Sequence, residues 1–465
     1  MSSSRRVGAA VAGLAALFGA RLLLAWELPL VADEAYFWTW SRRLAAGYFD
    51  QPPLVAGLVA AGEWLGGRSE LALRSLFLGC GLIATLTLWT RVRDRSLWVL
   101  WSALPVFFGL TTLAVPDAPL LAAWSVAVAG ALRGGAGWWL AGLASGLGFQ
   151  AKYSGLAVFP LLVIASGDGA WRSRWVALGA ATHVAIAVPN LLWNAEHGWV
   201  SFAFPFREGL AHPQPPGITG LLDFVLAQGL VVGPVLPMAG LAWAVGVWRS
   251  LPTDRTLRLA WATSVPVLVG FAVASWFGPT EAHWTAPAWW SLGVGFACSA
   301  GRWTRWASVG AWVGAATTLG LILQIHRPIF DLPVDPGSRF REGPALASAV
   351  AAWALPEGAA IADGRGSEAV PVITERYQEA ALIHYYSGIP ATHAPGCGRE
   401  DEYTRFGAAV AASRIWFVRP HTGGEPTCIL GEYPRLIARQ TLAPLGPDGG
   451  RLGPWDLFEL EAVPQ

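Results

Sequence analysis

Apolar residues fill most of the chain up to about residue 326, in runs separated by short polar connections. The first run, Val7 to Trp26, follows a short basic start and is broken only by Arg21. It lacks a small-residue cleavage site and reads as an uncleaved first span that begins in the cytoplasm. Further runs lie near 71–89, 96–113, 119–132, 137–150, 154–166, 175–193, 220–248, 259–277, 285–300 and 306–325. At roughly 20 residues per crossing, the pattern predicts about eleven spans. Residues 53–65 are apolar but too short to cross, and Gly66-Gly67 closes them. Residues 33–46 place Tyr36, Trp40 and Leu44 on one side at spacings of four, which predicts a helix lying in the membrane interface. Together these pieces predict a structured outer loop over 27–70.

The pattern changes from about Arg327. Pro333, Pro336 and Gly337 read as a linker. Beyond them, strand-like pieces at Ala359–Ala362, Arg414–Val418 and Trp455–Glu461 alternate with a helix near Glu375–Tyr386. The expected architecture is therefore a polytopic α-helical membrane domain over 1–326 and a small extracytoplasmic α/β domain over 327–465.

Composition agrees with a membrane protein. Charged residues make up 14% of the chain, against about 25% in soluble domains. The net charge of +1 offers no basic face for nucleic acid. Arg-bearing connections alternate with Arg-poor ones. Arg91, Arg93 and Arg95, then Arg133, Arg172 and Arg174, then Arg249, Arg255 and Arg258, then Arg302 and Arg305 mark the cytoplasmic side. Cys80 and Cys298 lie in apolar runs and read as packing residues. Cys397 and Cys428 lie in the polar tail and can pair if that tail is outside the cytoplasm.

With the sides assigned, the unusual polar residues collect outside. The outward connections hold Asp33, Glu34, Tyr36, Asp50, Asp117, Lys152, Tyr153, Asn194, Glu196, His197, Arg207 and His283. Lys152 is the only lysine among 32 basic side chains. Each residue also has a plain structural role open to it. Asp117 can cap the helix that follows, and Lys152 can snorkel to the headgroups. His197 and His283 can be satisfied interface histidines, and Arg207 can face lipid. No HExxH, paired CxxC or P-loop spacing occurs, so nothing points to a protease, a zinc site or an ATPase. Asp50, Glu196 and the histidines could hold a divalent metal, but their spacing is too scattered to predict one.

Acids and a lone lysine at an outer membrane face suit glycosyl transfer from a polyprenyl-phosphate sugar. The acceptor hydroxyl loses a proton as it attacks the anomeric carbon, which calls for a carboxylate base, here Asp33. The departing phosphate gains charge, so a cation there, here Lys152, stabilises the transition state more than the ground state. Direct attack inverts the anomeric centre. The rival classes are a transporter or flippase of glycolipids, whose charges would line a path, and a glycan-binding sensor or assembly factor. No internal repeat of the kind common in transporters is present.

At these residues the chain resembles the family 39 glycosyltransferases of the GT-C superfamily. That family includes protein O-mannosyltransferases, lipid A aminoarabinose transferases and rhizobial core galacturonosyltransferases. The resemblance is carried in order by Asp33-Glu34-Ala35-Tyr36-Phe37-Trp38, Gly47-Tyr48-Phe49-Asp50-Gln51-Pro52-Pro53, Pro116-Asp117-Ala118-Pro119-Leu120 and Ala151-Lys152-Tyr153-Ser154. It continues through the segment from Pro189 to Phe202, His283-Trp284, and Glu375-Arg376-Tyr377-Gln378-Glu379-Ala380 in the tail. It implies a GT-C fold, a polyprenyl-phosphate-linked donor, a lipid-linked or envelope glycan acceptor, Asp33 as base and Asp117 as a second essential acid. It also implies phosphate contact by basic residues. Gln51 stands where many relatives have His or Lys, which shifts that task onto Lys152 with His197 or Arg207 assisting. The implied setting is the bacterial inner membrane with the active face in the periplasm.

Overall fold

The computed structural model describes residues 3–167, 169–204, 217–330, 332, 335–354, 370–397, 399–406, 412–443 and 452–462. Among these, five helices are long and apolar enough to cross a membrane: Val7–Glu27, Glu70–Trp89, Arg174–Glu196, Arg255–Phe277 and Arg302–His326. Ile218–Val232 and Val235–Gly246 meet at 105° and make a sixth if counted as one broken span. The expected count of about eleven is thus not confirmed among the described residues. Over several of the expected spans the helices are shorter, as in Arg95–Ser102, Pro105–Leu110, Asp117–Arg133, Gly137–Ala151 and Val158–Ser166. Proline and glycine end or interrupt several of these runs, because proline removes a backbone donor and glycine adopts left-handed turns.

The chain divides into two compact units, one of residues 1–26 and 45–320, the other of 27–44 and 321–465. The first is helical. Its core is rich in indoles, with Trp98, Trp101, Trp124, Trp243 and Trp290 almost fully buried. A buried indole N–H needs an acceptor. Trp124 donates to Ser291 Oγ at 2.8 Å, and Trp290 donates to Ser125 Oγ at 2.7 Å. These reciprocal bonds tie Asp117–Arg133 to Ala286–Cys298. Arg21, the break in the first run, is buried and donates to the Ser102 carbonyl at 2.6 Å.

The second unit holds a five-stranded mixed sheet. Its strands are β1 (Val372–Thr374), β2 (Ala391–His393), β3 (Arg414–Pro420), β4 (Arg435–Leu442) and β5 (Trp455–Glu461), in the order β2-β1-β3-β5-β4. β1 runs parallel to β2 and β3, while β5 runs antiparallel to β3 and β4. β3 and β5 match the strands expected from sequence, and the helix Tyr377–Ser387 matches the one near Glu375–Tyr386. The expected strand at 359–362 lies outside the described residues. Cys397 and Cys428 form a disulfide.

The helix expected at 33–46 runs from Ala32 to Ser41. Its aromatic face meets protein rather than the membrane interface. Tyr36 lies 4.4 Å from Tyr377, and Trp38 packs edge-on against His384 and Tyr385 of Tyr377–Ser387. A spacing of four marks a buried stripe without saying what buries it. Leu44, beyond the helix end, is exposed.

Candidate active site

In the first unit, Asp117 and Lys152 are brought together by a helical hairpin. Asp117–Arg133 and Gly137–Ala151 are joined by the turn 134–136. An antiparallel pair sets the N-terminus of one helix beside the C-terminus of the other. Asp117 is the first residue of its helix, and Lys152 follows the last residue of its own in extended conformation. Each charge therefore suits the dipole of the helix end it occupies. Lys152 Nζ donates to Asp117 Oδ1 at 2.8 Å and Oδ2 at 3.0 Å. The two side chains are 13% and 4% exposed, so a full counter-charge is required on both. Pro116, the residue that caps this helix, makes no side-chain cap, and the Asp117 carboxylate turns to Lys152. The turn after Lys152 folds tightly back, with a Gly155 Cβ position only 2.2 Å from the Gly148 carbonyl carbon. Only glycine fits there. Ser145 Oγ donates to the Gly155 carbonyl at 3.0 Å and holds the turn.

Beside Lys152, Tyr153 enters an amide network. Asn194 Nδ2 donates to Tyr153 Oη at 3.3 Å and to the Asn190 carbonyl at 3.1 Å. Asn190 Nδ2 donates to the Ala46 carbonyl at 2.9 Å, and Ser201 Oγ donates to the Tyr48 carbonyl at 2.6 Å. Gly47 sits so close that a Cβ would lie 2.4 Å from Trp193. The segment just before half-buried Asp50 is therefore fastened to the end of Arg174–Glu196 and the segment after it. His197 stacks on Trp193 at 4.1 Å and its Nδ1 lies 2.7 Å from the Trp193 carbonyl. A carbonyl only accepts, which fixes Nδ1 as a protonated nitrogen. Asn190 and Gly47 were quoted in sequence segments but not singled out. Their signals, a polar amide inside an apolar run and a glycine before an aromatic pair, gain meaning only with the contact in view.

Elsewhere in this unit, Glu196 ends its helix and is exposed. His283 lies in the short turn Ala282–Thr285. That turn is held by buried Gln228, whose Oε1 accepts from Thr285 Oγ1 at 2.7 Å and Trp289 Nε1 at 2.8 Å. Arg207 lies outside the described residues.

Asp33, Glu34 and Tyr36 belong to the second unit. Asp33 is exposed, and its Oδ1 accepts from the Tyr377 hydroxyl at 3.1 Å. Glu34 is fully buried and its Oε2 accepts from Val31 N at 3.1 Å, which ties it to the start of its own helix. Tyr36 Oη accepts from Glu402 N at 2.7 Å. Among the described residues no group of three or more His, Cys, Asp or Glu is arranged to hold a metal.

Comparison with known proteins bears on the fold. Residues 50–193 match the family model of dolichyl-phosphate-mannose-protein mannosyltransferases. The chain is 29% identical over 281 residues to the lipid A galacturonosyltransferase RgtD of Rhizobium johnstonii, an alignment covering 55% of this chain and 57% of the relative. It thus spans little more than half the length of that relative. The solved structure of ArnT from Cupriavidus metallidurans in the apo state superposes with a TM-score of 0.60 at 16% identity, covering 98% of this chain and all of that one. ArnT bound to undecaprenyl phosphate gives 0.63 at 16% identity, with both chains fully covered.

The fold is that of the GT-C glycosyltransferases. The fold is shared with ArnT, several described helices are apolar enough to cross a membrane, and the family model and the relative both agree with the resemblance to family 39. Asp50, Asp117, Lys152 and Tyr153 all fall inside the segment matched by the family model, and Asn194 lies just beyond its end.

Proposed function

We propose that this protein is an inverting glycosyltransferase that moves a sugar from a polyprenyl-phosphate donor to a lipid-linked or envelope glycan acceptor. The observation that carries the reading is the only lysine of the chain, held nearly buried by Asp117 at the end of a helix hairpin. A buried ammonium with one anionic partner is a ready contact for the oxygens of a phosphate. Lys152 then stabilises the departing polyprenyl phosphate, and Asp117 orients it. Asp33 is the base. Exposed at the first turn of its helix, it takes the proton of the acceptor hydroxyl. Tyr153, Asn194, His197 and Asp50 line the donor side, with Arg207 and His283 assisting, while Glu34 and Tyr36 set the Asp33 helix.

The fold likeness to a protein solved with undecaprenyl phosphate and the relative acting on lipid A support a polyprenyl donor and a lipid acceptor. The Cys397–Cys428 disulfide supports an oxidising compartment for the C-terminal unit. With the Arg-rich connections, it favours an inner-membrane enzyme whose active face and C-terminal domain, residues 327–465, are periplasmic.

The test is release of polyprenyl phosphate from a labelled polyprenyl-phosphate sugar by the purified protein. Asp33→Asn should insert and express normally yet lose turnover by about 10²- to 10⁴-fold, the usual share of a general base. Full turnover in that variant removes the base. No release by the wild type with any acceptor fraction favours a flippase or a sensor.

A further inference from the structure

We propose that Tyr377 is the positioning residue for Asp33, fixing one carboxylate oxygen so that the other takes the proton. The inference deepens the reading of Asp33 as base and rests on it.

The contact joins residues 344 apart in sequence within one compact unit. Tyr377 begins the helix Tyr377–Ser387, following Arg376 in extended conformation. Arg376 forms an ion pair with buried Glu379, which braces this first turn. Tyr377 is 9% exposed, its ring packs at a tilt against Tyr36 with centroids 4.4 Å apart, and it lies under the Arg399 guanidinium at 4.6 Å. Tyr36 belongs to the helix that carries Asp33, and its hydroxyl is fastened by Glu402 N at 2.7 Å. The phenol thus has a fixed ring and a hydroxyl aimed at Asp33 Oδ1, 3.1 Å away.

An exposed carboxylate at the start of a helix rotates freely unless one oxygen is held. With Oδ1 engaged by a donor, Oδ2 has a single direction. In the reaction, the acceptor oxygen bonds to the anomeric carbon and its proton passes to Oδ2. The bond from that carbon to the phosphate oxygen breaks, and its electron pair leaves with the polyprenyl phosphate. Misplacing the base by about 1 Å costs on the order of 10²-fold in rate.

Tyr377→Phe removes only the hydroxyl and keeps both ring contacts. The expected result is a kcat lower by about 10- to 100-fold, with KM for the polyprenyl-phosphate sugar and for the acceptor within about twofold of wild type. The melting temperature should be unchanged. Tyr377→Leu, which discards the ring as well, should lower the melting temperature besides. Wild-type kcat in Tyr377→Phe alongside an inactive Asp33→Asn overturns the positioning role and leaves the base standing. A kcat loss that tracks a loss of melting temperature in Tyr377→Phe assigns the residue to packing and also overturns it. An active Asp33→Asn overturns the base and this inference with it.

Discussion

Asp117 and Asp456 are both withdrawn from solvent, one in the helical unit and the other in the sheet of the second unit. Asp117 is held by one cation, Lys152, with both oxygens on the same ammonium. Asp456 is held by His421 Nδ1 at 2.8 Å, Thr441 Oγ1 at 2.7 Å and Arg439 Nη2 at 3.2 Å, with Arg419 4.0 Å away. Its partners come from β3, β4 and the segment after β3, so removing any one leaves it largely satisfied. Among the described residues Asp117 has no such reserve. A charge with a single movable counter-ion is suited to exchange that counter-ion with a substrate. A charge with several fixed donors is suited to hold a sheet together.

The sharpest way to break this comparison is to remove the single partner. Lys152→Met leaves Asp117 buried without its counter-charge, which costs about 3–5 kcal/mol for a buried pair, and it removes the cation at the leaving phosphate. Turnover should fall by at least about 10²-fold, the usual loss for one transition-state donor. Lys152→Arg should recover only part of it, because a planar fork cannot place its charge as a compact ammonium does. Release of polyprenyl phosphate by the purified variants measures both. Wild-type turnover in Lys152→Met would make the pair purely structural, like that of Asp456.

The second way sharpens the sheet side. The Cys397–Cys428 disulfide closes a loop with a sequence separation of 31. Chain entropy assigns such a loop about 3–4 kcal/mol of stability. Cys397→Ser/Cys428→Ser should therefore weaken hydrogen-exchange protection of β3 and β5 in the full-length protein. Protection of the helix Asp117–Arg133 should stay as it was, because its indole–serine bonds lie wholly in the other unit. Equal losses in both places would show that the two do not unfold separately.

These contrasts also explain what was legible in the chain. Lys152 stood out as a lone lysine against a strong arginine preference, but its pairing with Asp117 across the hairpin was not anticipated. β3 and β5 were legible because their residues are mainly apolar and buried. β4 escaped notice because it is an edge strand with most positions exposed, so burial left no alternating pattern. β1 and β2 are three residues each and borrow their order from neighbours. The Asp33–Tyr377 and Asn190–Ala46 contacts span 344 and 144 residues, and no local pattern announces them. The described helices leave the number of spans unconfirmed, for a related reason. Hydropathy counts apolar residues, whereas Pro105 divides the run expected over 96–113 into the helices Arg95–Ser102 and Pro105–Leu110.

The smallest expected effect concerns pH. Burial alone would raise the Asp456 carboxyl. Hydrogen bonds from His421 and Thr441, with the charge of Arg439, outweigh it and hold the group below its ordinary value. A carboxyl depressed on folding contributes its full stabilisation above the unfolded value, near 4, and that contribution is lost as pH falls through the folded one. The sheet should therefore lose protection on acidification below about pH 4, while it stays flat between about pH 5 and 7 as far as this group is concerned. Asp456→Asn should lower protection of β5 by about 1–3 kcal/mol at neutral pH, the range for a charged hydrogen bond, and should flatten the acid dependence. Its turnover should match wild type. If acidification weakens β5 equally in Asp456→Asn, the acid sensitivity belongs to other carboxylates, and Asp456 is no more than one donor set among several in the sheet.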